Sequence, residues 1–300
     1  MDNLRGAVLM VAAMAAFAIE DLFIKGLTGE LSVGVVLVML GLGGGSVFAV
    51  IAAMQGRGLL DRVLWQRAVL LRNLGEMIGT MGFVTAIALT PLSSASAILQ
   101  ANPLAVTLGA ALFLNESVGW RRWTAIGVGF IGVLMVVRPG LEGFEPASLF
   151  AVQGVIGLAI RDLATRAAPR SASSMQISAL GFYSVVPVGL VLVLLDGTPP
   201  MPTSAHALPF AIALFAGVSG YYAIVAAMRV GDVSFVTPFR YTRLIFAMCI
   251  GMVILNERPD LWTWAGATLI VGSGLYTLLR EARLNRKTRR AAKLAATLEP

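Results

Sequence analysis

Apolar residues fall along this chain in ten stretches of roughly twenty, separated by short polar connections: 4–25, 32–54, 69–89, 93–114, 120–137, 148–166, 174–195, 206–228, 233–255 and 260–279. About twenty apolar residues in a helix cross the hydrocarbon core of a bilayer. The pattern therefore predicts an all-α integral membrane protein of ten transmembrane helices. The first stretch has some look of a secretory leader, with Arg5 ahead of an apolar run and Ala13-Met14-Ala15 as a small-residue cleavage site. The run continues to Ile24 and a later stretch copies its end, so it reads as a helix of the mature chain.

Composition narrows the alternatives. Hydrophobic residues make up 57% of the chain and charged ones 13%, against about a quarter charged in soluble domains. The net charge of +7 does not mark a nucleic-acid binder, because Arg283, Arg286, Lys287, Arg289, Arg290 and Lys293 crowd the segment 283–300 as a basic cytoplasmic tail. Cys249 is the only cysteine, so no internal disulfide is possible, and between Met248 and Ile250 it reads as a small packed residue. His206, the only histidine, lies at a stretch edge and cannot by itself assemble a zinc site or a membrane serine-protease dyad. The Tyr-Asp and Gly-x-Gly-Asp motifs of intramembrane aspartyl proteases are absent, as is a phosphate-binding Gly-x-x-x-x-Gly-Lys-Ser/Thr loop. No enzyme, cofactor or metal is expected.

Positive charge orients the spans, since Lys and Arg collect on the cytoplasmic side. With the N-terminus inside, sixteen of the 23 basic residues are cytoplasmic, only Lys25, Arg138 and Arg258 lie on the opposite face, and the other four lie within spans. Both termini are predicted to be cytoplasmic, in a multi-pass protein of the cell inner membrane.

The chain also resembles itself at an offset of 141 residues. Ala18-Ile19-Glu20-Asp21-Leu22 falls on Ala159-Ile160-Arg161-Asp162-Leu163, Lys25 on Arg166, Ser93 on Ser234, Leu114-Asn115-Glu116 on Leu255-Asn256-Glu257, and Trp123 on Trp264. Matches of Leu or Ala mean little in an apolar chain, but an Asp within a span and a Leu-Asn-Glu at the end of one do not recur by composition alone. The expected units are a first five-helix repeat, 1–141, a second, 142–282, and the tail. Five spans per unit force the second to enter from the opposite side, and inverted repeats are the architecture of many secondary transporters.

These residues resemble the ten-helix EamA-type transporters of the drug/metabolite transporter superfamily. The resemblance covers nearly the whole chain and is most specific in the block from Ser93-Ser94-Ala95-Ser96 through Pro103 to Leu114-Asn115-Glu116, Trp123 and Gly127. The second copy runs from Ser234 through Leu255-Asn256-Glu257 to Trp264 and Gly266, but has Arg243-Leu244 in place of Asn102-Pro103 and its proline at Pro238. The resemblance implies a secondary carrier, driven by an ion gradient or by exchange, with its cavity near mid-membrane between the halves. Asp21 followed by Lys25 also resembles members that move amino acids, vitamins or nucleoside-like metabolites.

Eight charged residues fall within the stretches away from their ends: Glu20, Asp21, Arg72, Glu76, Arg161, Asp162, Arg240 and Arg243. On insertion scales each costs about 2.5 to 3.5 kcal/mol at mid-membrane, so they require partners or a wet cavity. Arg72 and Glu76, one turn apart, suit a structural pair. Arg240 and Arg243 lie near the middle of the ninth stretch, free to pair with an acid across the bundle or to hold a carboxylate or phosphate of the substrate. With Tyr241, Gln100, Asn102 and Glu76 they form the candidate substrate-binding set. Glu20 and Asp21, read near the outer end of their span, and Arg161 and Asp162, near the inner end of theirs, are candidate gating or coupling groups. Pro103, Pro187, Pro209 and Pro238 interrupt the fourth, seventh, eighth and ninth stretches, with Pro103 and Pro238 as candidate hinges.

The expected function is secondary active transport, by alternating access, of small polar organic metabolites, with export or exchange of amino acids as the first reading. The alternative is import of a vitamin or nucleoside-like metabolite such as riboflavin or S-adenosylmethionine, which Tyr221, Tyr222 and Tyr241 would favour as cavity-lining rings. A channel or an intramembrane enzyme is the reading from another class. The expected partners are a small-molecule substrate, the lipid bilayer, and a coupling ion or counter-substrate, with the chain as monomer or homodimer.

Overall fold

The computed structural model describes residues 2–113, 119–141, 143–169, 171–230 and 233–298, and among them it is all-helical, with no strand. The helices are α1 (Asp2–Glu30), α2 (Val33–Met54), α3 (Arg67–Leu89), α4 (Leu92–Leu99), α5 (Asn102–Phe113), α6 (Trp120–Val137), α7 (Ser148–Ala167), α8 (Ser174–Asp196), α9 (Ala207–Val230), α10 (Val233–Val236), α11 (Thr242–Val253) and α12 (Leu261–Leu298). Seven helical segments among the described residues are long and apolar enough to cross a membrane: Asn3–Glu30, Val33–Met54, Leu92–Phe113, Trp120–Val137, Ser148–Ala167, Ser174–Asp196 and Ser204–Met228. The other three expected spans are helical but fall outside that set. Arg72 and Glu76 lower the hydropathy of α3, Arg240 and Arg243 lie on the split ninth stretch, and α12 begins on a polar Trp-Thr-Trp turn before running on through the basic tail.

Local chemistry sets the boundaries. The Ser32 side chain accepts from the Val35 amide to start α2. Ser173 and Gln176 form a reciprocal capping box at the start of α8, and the fully buried Gln176 also donates to Gly58 O and Asp61, tying the α2–α3 loop to that helix. The fourth and ninth stretches are not continuous helices. A turn at Gln100 and Ala101 separates α4 from α5, because Pro103 has no N–H to offer the Leu99 carbonyl. In the ninth, a 3-10 turn at Thr237–Tyr241 containing Pro238 separates α10 from α11. Two prolines expected to interrupt helices do not. Pro209 sits in the first turn of α9, where an N–H has no partner to lose, and Pro187 lies inside an unbroken α8.

Helices pack in crossed pairs: α1 on α9, α2 on α8, α3 on α7 and α6 on α12, with α4 against α11 at the centre. The close pairs meet at glycines. A Cβ on Gly75 would sit 2.5 Å from the Arg161 backbone nitrogen, and one on Gly82 would sit 2.7 Å from that of Gly154. Only bare backbone permits α3 and α7 to approach so nearly. The largest apolar cluster lies where α4 crosses α11, with Leu92, Ile98 and Leu99 against Leu244, Ala247, Met248 and Ile270. Cys249 is exposed, in a stripe with Ile245, Met252 and Val253 on the outward face of α11, and so is not the packed residue its neighbours suggested.

Candidate functional site

The eight charged residues in the interior of the apolar stretches all line a single cavity of about 400 Å³. Its walls come from α1, α2, α3, α7, α8 and α9 and from the two broken stretches, where irregular backbone is tolerated because it borders the cavity. α1 runs ten residues beyond Glu20, so Glu20 and Asp21 lie toward the middle of their helix and share this chamber with Arg161 and Asp162. Gln100, Asn102, Pro103 and Tyr241 also line it, whereas Pro238 does not, although its neighbour Thr237 does.

One wall is a continuous charge network. Glu76 accepts from Arg72 Nη2 at 2.8 Å, from Arg161 Nη1 at 3.4 Å and from the Thr80 hydroxyl at 3.2 Å. Arg161 turns its other nitrogens to Asp162 at 2.8 and 2.9 Å, and Asp162 in turn accepts from Asn102 Nδ2 at 3.0 Å. Arg72 Nη1 also donates to the Ile177 carbonyl at 3.1 Å, and the guanidinium lies across Gly181 where any side chain would collide with it. Arg240 faces Asp162 electrostatically, yet its guanidinium makes no hydrogen bond or ion pair among the described residues.

The opposite wall holds one tight pair. Arg243 grips Asp21 through Nη2 at 2.8 Å to both carboxylate oxygens and through Nε at 3.2 Å, and its guanidinium lies 5.2 Å from the Phe17 ring and 5.4 Å from that of Phe83. Asp21 is 2% exposed. A buried acid with a bidentate Arg held between two rings is a well-satisfied arrangement. Glu20, next in sequence, has no hydrogen bond or ion pair among the described residues; its carboxylate rests against the bare backbone of α9 at Gly217.

The two walls are joined at the helix breaks, where Gln100 Nε2 donates to the carbonyls of Arg240 at 3.4 Å and Tyr241 at 3.2 Å. The Tyr241 hydroxyl packs into the notch at Gly274 on α12, and Asn102 Oδ1 is buried without a partner. Tyr221 lines the cavity and holds the Ser178 hydroxyl at 2.6 Å, but Tyr222 points outward, 70% exposed. Phe17, Phe83 and Gly217 were not among the candidates. Aromatic and glycine positions are too common in apolar helices to stand out, although Gly217 is the 141-residue mate of Glu76 and that offset marks it.

A second, smaller cavity of about 290 Å³ lies where α3 ends, α4 begins and α12 begins. There the Glu257 carboxylate accepts from the Leu92 and Ser93 amides at 2.6 and 2.9 Å, Lys25 donates to the Ile87 and Thr90 carbonyls, and Arg138 pairs with Asp260. Asn256 adopts φ +54°, which ends the helical run after α11 and turns Glu257 back toward α4. This accounts for the second Leu-Asn-Glu; the first copy, Leu114-Asn115-Glu116, lies outside the described residues.

A solute-sized polar chamber walled by apolar helices defines a multi-pass membrane protein of the transporter class. The chain belongs to the EamA-like transporter family, whose model matches it twice, over residues 4–138 and 146–279. It is 29% identical over 222 residues to an S-adenosylmethionine uptake transporter of Rickettsia conorii, covering 73% of this chain and 74% of that protein. It is 30% identical over 229 residues to a riboflavin transporter of Vibrio cholerae, with 74% and 75% covered. A solved crystal structure superposes with a TM-score of 0.59 at 18% identity, covering 93% of this chain and 98% of that one, a likeness of fold alone.

Proposed function

We propose that this chain is a secondary carrier that imports a small, polar, ring-bearing metabolite of the vitamin or nucleoside-like class, by alternating access of two inverted five-span halves. The observation that carries the reading is the cavity itself, in which Glu20 and Arg240, neither with a hydrogen bond or ion pair among the described residues, and several aromatic rings border one volume of metabolite size. The S-adenosylmethionine and riboflavin transporters among the relatives favour this cargo over the amino acids that charge balance first suggested, and the S-adenosylmethionine relative, an uptake transporter, favours import over export.

The inverted halves are supported by contacts that exchange under the 141-residue shift. Asp21 meets Arg243 and Asp162 meets Asn102, each pair the shifted image of the other, while Gln100 meets its own mate, Tyr241. The double match of the family model points the same way. In this reading the broken α4–α5 and α10–α11 stretches are the discontinuous helices that border a carrier's central site. The positive-inside count puts both termini in the cytoplasm.

The test is uptake of labelled S-adenosylmethionine and riboflavin into proteoliposomes holding the purified full chain. Saturable uptake of either one, inhibited by excess unlabelled compound, is the expected result. Non-saturating flux would mean a channel, and saturable uptake of amino acids alone would overturn the cargo class.

A further inference from the structure

The cavity is electrically lopsided. Among its described lining residues, Glu20 and Asp21 share one cation, Arg243, which is committed to Asp21 by three hydrogen bonds and to two rings. The rest of the charged lining is the reverse, with Arg72, Arg161 and Arg240 against Glu76 and Asp162. One group therefore has an acid to spare and the other a guanidinium. The repeat shows how the acid came to be left over. Arg161 finds Glu76 on α3, whereas the shifted partners are Glu20 and Gly217, so at that position α9 offers Glu20 no side chain. A glycine there is also what the carboxylate needs, since a Cβ would strike both of its oxygens.

We infer that Glu20 is a specificity-determining residue that receives a positive centre on the cargo, while Arg240 receives the cargo's acid group. This rests on the reading of the cavity as the cargo site and narrows the cargo to a ring-bearing zwitterion. A charge in low-dielectric surroundings without a partner is costly, and a cargo bearing the opposite charge offsets that cost where a neutral one does not. Glu20 rests on α9 at Gly217 and Arg240 interacts with Asp162 on α7, so a cargo that engages both carries its positive centre apart from its carboxylate. A sulfonium set apart from an amino-acid carboxylate meets that description; a flavin, which has no cationic group, does not.

Binding of S-adenosylmethionine, S-adenosylhomocysteine and riboflavin to the full chain in lipid nanodiscs tests the inference. The first two probes differ in one methyl group and the sulfonium charge it creates. The wild type is expected to bind S-adenosylmethionine about tenfold or more tighter than S-adenosylhomocysteine, a difference of about 1.4 kcal/mol. Glu20→Gln should bring the two within about twofold, and Arg240→Gln should weaken both to a similar degree, on the order of tenfold. Equal wild-type affinities for the pair, a Glu20→Gln variant that keeps the preference, or riboflavin as the tightest ligand would each overturn the role of Glu20 and leave the proposed cargo class standing. Failure of the wild type to bind any of the three would overturn both. If Glu20→Gln does not reach the membrane, the wild-type preference between the paired probes decides the question.

Discussion

The two walls of the cavity are built from residues 141 positions apart, yet they satisfy their charges in different ways. On the α3–α7 wall, Asp162 is one member of a chain running from Arg72 through Glu76 and Arg161 to Asn102. On the α1–α9 wall its mate Asp21 has a single partner, Arg243. Geometry has been kept while chemistry has changed, since the position that holds a neutral Asn102 in one half holds a charged Arg243 in the other. A distributed network tolerates the loss of one member better than a lone clamp does. Asp21→Asn should therefore be the most damaging single change, because it removes the one ion pair that Arg243 makes among the described residues, at a cost of up to about 3 kcal/mol. Asp162→Asn leaves Arg161 on Glu76 and should cost less than half as much. Thermal unfolding of the two purified variants measures the gap; equal losses would mean the walls are not different in kind.

The glycine contacts make a second comparison, with an expected effect of about 1–3 kcal/mol. At Gly75 an added methyl meets the Arg161 backbone, which cannot retreat without moving α7. At the related contact on the other wall, a methyl on Gly217 meets the end of the Glu20 side chain, which can swing away. Gly75→Ala should lower the unfolding temperature, whereas Gly217→Ala should spare it and instead reduce transport by displacing the Glu20 carboxylate. The comparison is broken if Gly217→Ala transports normally, or if it unfolds as early as Gly75→Ala.

Much of this architecture was legible in the sequence because hydropathy and charge are strongly constrained in a bilayer. The eight charged residues away from the ends of the apolar stretches all border the cavity, since lipid offers such a group no alternative. The partners were not legible. Nothing in the order of residues says that Arg243 takes Asp21 and leaves Glu20, because that depends on how α1 and α11 are turned about their axes. Glu20 stands ten residues before the end of α1 because that helix extends past its apolar core to Glu30 through Lys25, whose ammonium finds carbonyls at the end of α3. The proline breaks were read by residue type, and Pro187 and Pro209 show that position within the helix decides whether the missing N–H matters.

The smallest effect expected is at Glu257, and it concerns the ends of the two central helices. Its carboxylate covers the first amides of α4, which have no partners within the helix and sit at the positive end of the helix dipole. Glu257 belongs to the second half of the chain and α4 to the first, so this cap is also a latch between halves beside the smaller cavity. Glu257→Gln keeps an oxygen that can accept one amide but loses the charge, a change of about 0.5–2 kcal/mol by analogy with other caps. If the latch is made in only one of the two access states, that energy should appear in their ratio more than in overall stability. Labelling of an engineered cysteine at Ser94 on the smaller cavity should then quicken by up to about tenfold in Glu257→Gln, with the unfolding temperature little changed. Unchanged labelling together with a lower unfolding temperature would mean that Glu257 caps α4 in every state and has no part in opening.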